Sequence, residues 1–154
     1  MDDLVSISAS GATGKNAGSY TNTVTAGLEA NYTVSTVNGL LEIAKANATV
    51  TANSGVLTYN GGNQTVSGFT ATGLVGGETQ AVLTGVSASR TEKNAGTYSV
   101  SASGVDGNYN LSFVDGVMTI NKAALVVTAN AASKTYDGVA YSGGNGVTYT
   151  GLVG

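Results

Sequence analysis

Cysteine, proline, histidine and tryptophan are all absent from this 154-residue chain, and only 10% of its residues are charged. Without Cys or His there is no disulfide framework, no zinc site of the usual kind, no thiol nucleophile and no imidazole base, which removes the commonest catalytic apparatus. No catalytic residue and no cofactor are expected. The six bases, Lys15, Lys45, Arg90, Lys93, Lys122 and Lys134, are scattered, and nine acids leave a formal charge of −3. Nucleic acid is therefore not an expected partner, because phosphate binding needs clustered Lys and Arg. No apolar run approaches the roughly 18–20 residues that cross a bilayer. Met1-Asp2-Asp3 opens on acid rather than a basic leader region, so any export signal is expected outside this stretch.

What the chain does contain is a repeat. Lys15-Asn16-Ala17-Gly18-Ser19-Tyr20 returns as Lys93-Asn94-Ala95-Gly96-Thr97-Tyr98, an offset of 78, and Asn31-Tyr32 returns as Asn108-Tyr109, an offset of 77. Val50-Thr51-Ala52-Asn53 matches Val127-Thr128-Ala129-Asn130, and Thr58-Tyr59-Asn60-Gly61 matches Thr135-Tyr136-Asp137-Gly138. Gly73-Leu74-Val75-Gly76 matches Gly151-Leu152-Val153-Gly154. The chain is thus about two periods of roughly 77 residues, the signature of a repeat architecture.

Short runs of Val, Ile, Thr and Tyr punctuated by Gly and Asn read as strands. The expected fold class is all-β, as tandem small Ig-like β-sandwich repeats of about 77 residues. Asp115-Gly116 is expected to form a two-residue type I′ hairpin loop, placing Leu111, Phe113, Met118 and Ile120 on one face. Asn38-Gly39 is expected to do the same in the first copy, with Val34 opposite Ile43 and Thr36 opposite Leu41. Thr36 stands where the second copy has Phe113, and losing a buried aromatic costs about 3–5 kcal/mol where the site cannot collapse.

Tyr20 and Tyr98 each follow an Asn-Ala-Gly turn and open an alternating strand. That arrangement resembles a tyrosine corner, with Val100 at the core position two residues on. In the first copy Asn22 takes that position, and one extra residue before Asn31 calls for a bulge. Residues 77–83 are helix-compatible, with Glu78 near their start. A β-grasp-like unit with a short helix near 77–83 is therefore the structural alternative.

Between Gly116 and Gly138 there is no glycine, and the junction is only Asn121-Lys122-Ala123, matched by Ala44-Lys45-Ala46. That leaves little room for a hinge, and stacked repeats touch only their neighbours. A stiff tandem array follows as the expectation. If units run from the Val-Thr-Ala strand to the closing Asn-Lys, residues 46–122 are a complete repeat. Residues 1–45 are then the C-terminal part of a first repeat, and residues 123–154 the N-terminal part of a following one. A cut near residue 77, giving two halves, is the other phase.

Tyr-Asn/Asp-Gly after a Val-Thr-Ala strand, then Gly-Leu-Val-Gly, Asn-Ala-Gly-Thr-Tyr, Gly-Asn-Tyr-Asn-Leu and Val-Asp-Gly-Val-Met-Thr-Ile-Asn-Lys, resemble the Gly-rich YDG/MBG repeats of large bacterial surface adhesins, notably the filamentous-haemagglutinin type exported by two-partner secretion. The resemblance covers nearly the whole chain. It implies tandem repeats, an extracellular or cell-surface, outer-membrane-associated location, and a role in attachment or biofilm. It implies no catalytic residue.

Three of the five Asp residues, Asp106, Asp115 and Asp137, precede Gly, and turn chemistry explains them. A calcium loop needs several oxygen ligands within about a dozen residues; no window supplies more than two spaced carboxylates, and Asp106 and Asn108 are the best-placed donors. Tyr141 and Tyr149 lie in a Gly-rich stretch where a sugar ring could stack on them, although Val66 and Phe69 in the first copy point to core or edge positions. The sequons at Asn31, Asn47, Asn63 and Asn110 are about as many as so Asn-, Ser- and Thr-rich a chain yields by chance. Asn38, Gly39, Asn60, Gly61, Asp115, Gly116, Asp137 and Gly138 are turn residues in this reading. The function expected is that of a stalk, spacing a distal binding domain and touching neighbouring repeats of its own chain. The alternative is a carbohydrate- or matrix-binding module contacting host or matrix glycans through Tyr141 and Tyr149.

Overall fold

The β-rich runs form short strands throughout residues 7–27 and 31–153, the part of the chain described by the computed structural model. In chain order these are β1 (Ile7–Ser10), β2 (Gly18–Ala26), β3 (Gly39–Ile43), β4 (Ala46–Ala52), β5 (Gly55–Thr58), β6 (Gln64–Ser67) and β7 (Phe69–Thr72). There follow β8 (Val86–Glu92), β9 (Gly96–Val100), β10 (Ala102–Gly104), β11 (Tyr109–Val114), β12 (Gly116–Asn121), β13 (Val126–Ala129) and β14 (Val147–Thr150). The architecture is all-β, in several small sheets. The helix of the β-grasp alternative reduces to one 3-10 turn, Gln80–Val82.

Chain contacts divide the molecule into two units, each assembled from separated stretches: Met1–Thr51, Phe69–Ser87 and Ala102–Val114 in the first, and Ala52–Gly68, Ala88–Ser101 and Asp115–Gly154 in the second. Residues 46–122 contribute to both. In the first unit, β2 is flanked by β1 and β3, both antiparallel to it. Its other sheet has the order β11-β4-β7, and β11 runs parallel to β4 with Tyr109 beside Ala46. In the second unit, β12 is central between β5 and β9, parallel to β5 and antiparallel to β9. There β6 pairs with the later part of β8, and β13 with β14.

Both expected hairpins are overturned. β11 and β12 do not pair with each other; they pair in parallel with β4 and β5, at a separation of 63 residues in each ladder. A type I′ loop requires positive φ at both central residues. No non-glycine described residue has positive φ, and neither Gly116 nor Gly39 has it. Gly116 is instead a buried strand residue whose added Cβ would lie 2.3 Å from the Asn53 carbonyl oxygen. Gly39 likewise opens β3, opposite Asn22 of β2, and residues 33–38 form no strand. The stretch expected to bulge, just before Asn31, lies outside the described residues.

Register repeats even where the hairpins fail. Tyr20 lies opposite Leu41 and Asn22 opposite Gly39; Tyr98 lies opposite Met118 and Val100 opposite Gly116. These are equivalent positions in the two copies. Alternation puts one face of each strand inward. In β4, Ala48, Val50 and Ala52 are buried, and in β12 Met118 and Ile120 are. Phe113 is 38% exposed, although it stands beside the wholly buried Val50 of β4. The expected partnership of Phe113 with Met118 is absent, and with it the argument that Thr36 loosens the first copy.

Candidate functional site

The recurrent motifs each build one local device, and the devices are the same in both copies. After the Lys-Asn-Ala-Gly turn, the Tyr20 hydroxyl donates to the Asn16 carbonyl at 2.8 Å, and the Tyr98 hydroxyl donates to the Asn94 carbonyl at 3.0 Å. The chain is thereby tied back across the bend. A Cβ on Gly14 would fall 2.3 Å from the Tyr20 ring, and one on Gly96 would fall 2.8 Å from the Tyr98 hydroxyl. The Arg90 guanidinium stands over the Tyr98 ring, 5.7 Å from its centre.

The Tyr-Asn/Asp-Gly motif is an Asx turn. Asn60 Oδ1 accepts the Gly62 amide at 2.9 Å, and Asp137 Oδ1 accepts the Val139 amide at 3.0 Å. Gly61 and Gly138 supply positive φ, 81° and 75°, which an L residue adopts at a cost. Lys134 Nζ lies 2.7 Å from Asp137 Oδ1; that contact first, and the Val139 amide second, hold the Asp137 carboxyl below its ordinary range. Asn53 and Asn130 form another equivalent pair, each amide nitrogen of the backbone bonding the carbonyl of Gly68 or Gly146, at 3.0 and 3.1 Å.

Asp106 and Asn108 come together at the junction, and there they hold backbone. Asp106 Oδ1 accepts the amides of Asn108 (2.7 Å) and Tyr109 (3.1 Å). Asn108 Oδ1 accepts the Ala17 amide at 2.9 Å, its side-chain amide donates to Asn16 Oδ1 at 3.4 Å, and its carbonyl accepts the Ala46 amide at 2.9 Å. Lys45 Nζ donates to the Asp106 carbonyl at 2.8 Å. Among the described residues no three acids gather into a metal-binding group. Asp106 Oδ1 and Asn108 Oδ1, the oxygens suggested for calcium, here accept backbone amides of this loop and of the Asn16-Ala17 turn.

A cleft of about 410 Å³ lies beside this loop, lined by Lys15, Asn16, Val75, Glu78 and Tyr109 among others. The buried Tyr109 donates its hydroxyl to Glu78 Oε2 at 2.5 Å and accepts the Val75 amide at 3.0 Å. The bond to Glu78 raises the phenol above its ordinary value of 10.0, against a smaller opposite effect of the Val75 amide. An equivalent cleft of about 440 Å³ is lined by Asn94, Ala95, Lys122, Leu152 and Val153. Sequence reasoning missed the Glu78–Tyr109–Val75 triad; the recurrence of Asn-Tyr and Gly-Leu-Val-Gly was the available signal.

The remaining turn residues act differently from expectation. The Asp115 carboxylate accepts the hydroxyls of Ser99 at 2.7 Å and Ser101 at 3.1 Å. Asn38 Oδ1 accepts the Val24 amide at 3.1 Å. Tyr141 and Tyr149 are both exposed. Tyr141 bonds Asn145 and lines a small cleft with Lys134, while Tyr149 sits on β14 opposite Val127 and does not line that cleft.

What this arrangement does chemically is fix backbone turns and fasten a loop across a junction. No described helix is long and apolar enough to cross a membrane. Comparison with curated proteins and with solved structures gives no match. Residues 48–119 match the family model of the MBG domain (YGX type), and this stretch is an MBG-type repeat.

Proposed function

We propose that the chain is a spacer of a bacterial cell-surface or secreted adhesin, with residues 46–122 as one complete repeat and residues 1–45 and 123–154 as parts of its neighbours. It works mechanically and carries no catalysis. The observation that carries this reading is the fastened junction. Only Ala44-Lys45 separate β3 from β4, and the loop of Asp106 and Asn108 holds both Lys45 and the Asn16-Ala17 turn. A connection of two residues with side-chain hydrogen bonds across it resists bending far more than a Gly/Ser linker does. The MBG match over residues 48–119 supports the same phase. The adhesin setting follows from the kind of protein in which such repeats occur, and holding a distal binding domain away from the cell follows from the stiffness.

Small-angle scattering on arrays of increasing repeat number tests the proposal. The maximum dimension is expected to grow by a constant increment per repeat. Growth with the square root of repeat number, as for freely jointed beads, would overturn it.

A further inference from the structure

The complete repeat begins with β4 and β5 and ends with β11 and β12, and the first two pair with the last two in parallel, each pair within its own unit. One ladder runs from Tyr109 beside Ala46 to Val114 beside Thr51. The other runs from Met118 beside Gly55 to Asn121 beside Thr58. Each gains a further main-chain bond: the Ala46 amide donates to the Asn108 carbonyl at 2.9 Å, and the Tyr59 amide to the Asn121 carbonyl at 2.8 Å. Side chains tie the strands as well. The hydroxyls of Thr49 and Ser112 meet at 3.1 Å, the Asn110 side-chain amide donates to Asn47 Oδ1 at 3.4 Å, and the Val117 amide donates to Ser54 Oγ at 3.0 Å. Along the chain, only Asn53 and Ser54 separate β4 from β5, and only Asp115 separates β11 from β12.

We propose that the repeat bears tension and that these two ladders carry it in shear. The inference rests on the repeat phase proposed above, in which neighbouring repeats draw on residue 46 from one side and on residue 121 from the other. Tension then pulls the earlier strand of each ladder by its N-terminal end: Ala46 for β4 and, through it, Gly55 for β5. It pulls the later strand by its C-terminal end: Asn121 for β12 and, through it, Val114 for β11. Between parallel strands those pulls oppose each other along the strand axis, while the ladder bonds run from strand to strand. The bonds of a ladder are therefore loaded together, and none is opened singly from an end. Chain connectivity alone makes the two ladders share the load. With β4 and β11 parted, tension still passes from β4 into β5 and across to β12; with β5 and β12 parted, it still passes from β4 across to β11 and on into β12. The stretch lengthens fully only when both ladders fail. A β11–β12 hairpin, drawn out at Asn121, would instead unzip pair by pair.

The test is single-molecule stretching of the 154-residue chain between two introduced cysteines, which are unique handles because the chain has no cysteine of its own. Ala44→Cys with Lys122→Cys applies the load of the array. Ala44→Cys with Gly107→Cys pulls β4 and β11 from the same end, since Tyr109 lies beside Ala46, and peels the first ladder bond by bond. Ala44, Gly107 and Lys122 are exposed, and a Cβ on Gly107 meets nothing within 4 Å, so the fold accepts all three. The expected result is a rupture force at least about twofold higher for the 44–122 pair than for the 44–107 pair, because bonds loaded together fail together. The released chain should lengthen by about 3.3–3.6 Å per residue between the handles. Equal forces, a lower force for the 44–122 pair, or extension of that pair without a force peak would each overturn the proposal. A weak 44–122 pair in a chain that yields a protease-resistant 46–122 core would overturn the shear ladders and leave the phase standing. Cleavage into halves near residue 77 would overturn the phase and, with it, the points of loading.

Discussion

At the residue scale, two side chains carry testable consequences. Asn22 holds the position that Val100 fills in the second copy, and its Oδ1 is buried with no hydrogen-bond partner. A buried unsatisfied polar atom costs about 1–3 kcal/mol, so Asn22→Val should raise stability by about that much in a urea titration, with an unchanged slope. Tyr109 is the other. Its neutral hydroxyl donates to Glu78, and the phenol's affinity for its proton is raised in the folded chain. The stabilisation is complete below the unfolded value of 10.0 and is lost as pH rises through the folded value. Alkaline absorbance titration should find one late-ionising tyrosine, and Glu78→Gln should bring it back toward the others. The Asn60 and Asp137 turns were legible in the sequence because an Asx turn is decided within three residues. The Glu78–Tyr109 bond joins residues 31 apart, and no local pattern encodes such a contact.

At the element scale, strand positions were legible and strand partners were not. The alternation of β4 and β12 follows from Val, Thr, Ala and Met at period two. The pairing of β11 was misread because Asp-Gly is the strongest short hairpin signal, whereas Gly116 is required by close approach to the carbonyls of Ala52 and Asn53. Gly116→Ala should therefore destabilise by about 1–3 kcal/mol through forced backbone shifts, measured by thermal unfolding. The same correction separates two residues once placed on one face. Met118→Ala should cost about 2–5 kcal/mol because Met118 is wholly buried, whereas Phe113→Ala, at a partly exposed site, should cost clearly less. Equal losses at both sites would restore the hairpin.

At the scale of the whole molecule, periodicity was the most legible property. Offsets of 77 and 78 residues in the sequence reappear as equal register in β2–β3 and β9–β12, and as positive φ at both Gly73 and Gly151, 84° and 98°. A Cβ added at either would strike backbone, 2.8 Å from the Asn47 carbonyl oxygen at Gly73 and 2.3 Å from the Ala124 carbonyl oxygen at Gly151. Phase is harder to read than period, since a repeated sequence contains the same motifs wherever it is cut. β4 pairs in parallel with β11 in the first unit, and β5 with β12 in the second. Limited digestion with a broad-specificity protease, read by intact mass, tests the phase most directly. A resistant core spanning about residues 46–122 is the result predicted, and two fragments of similar size meeting near residue 77 would contradict it.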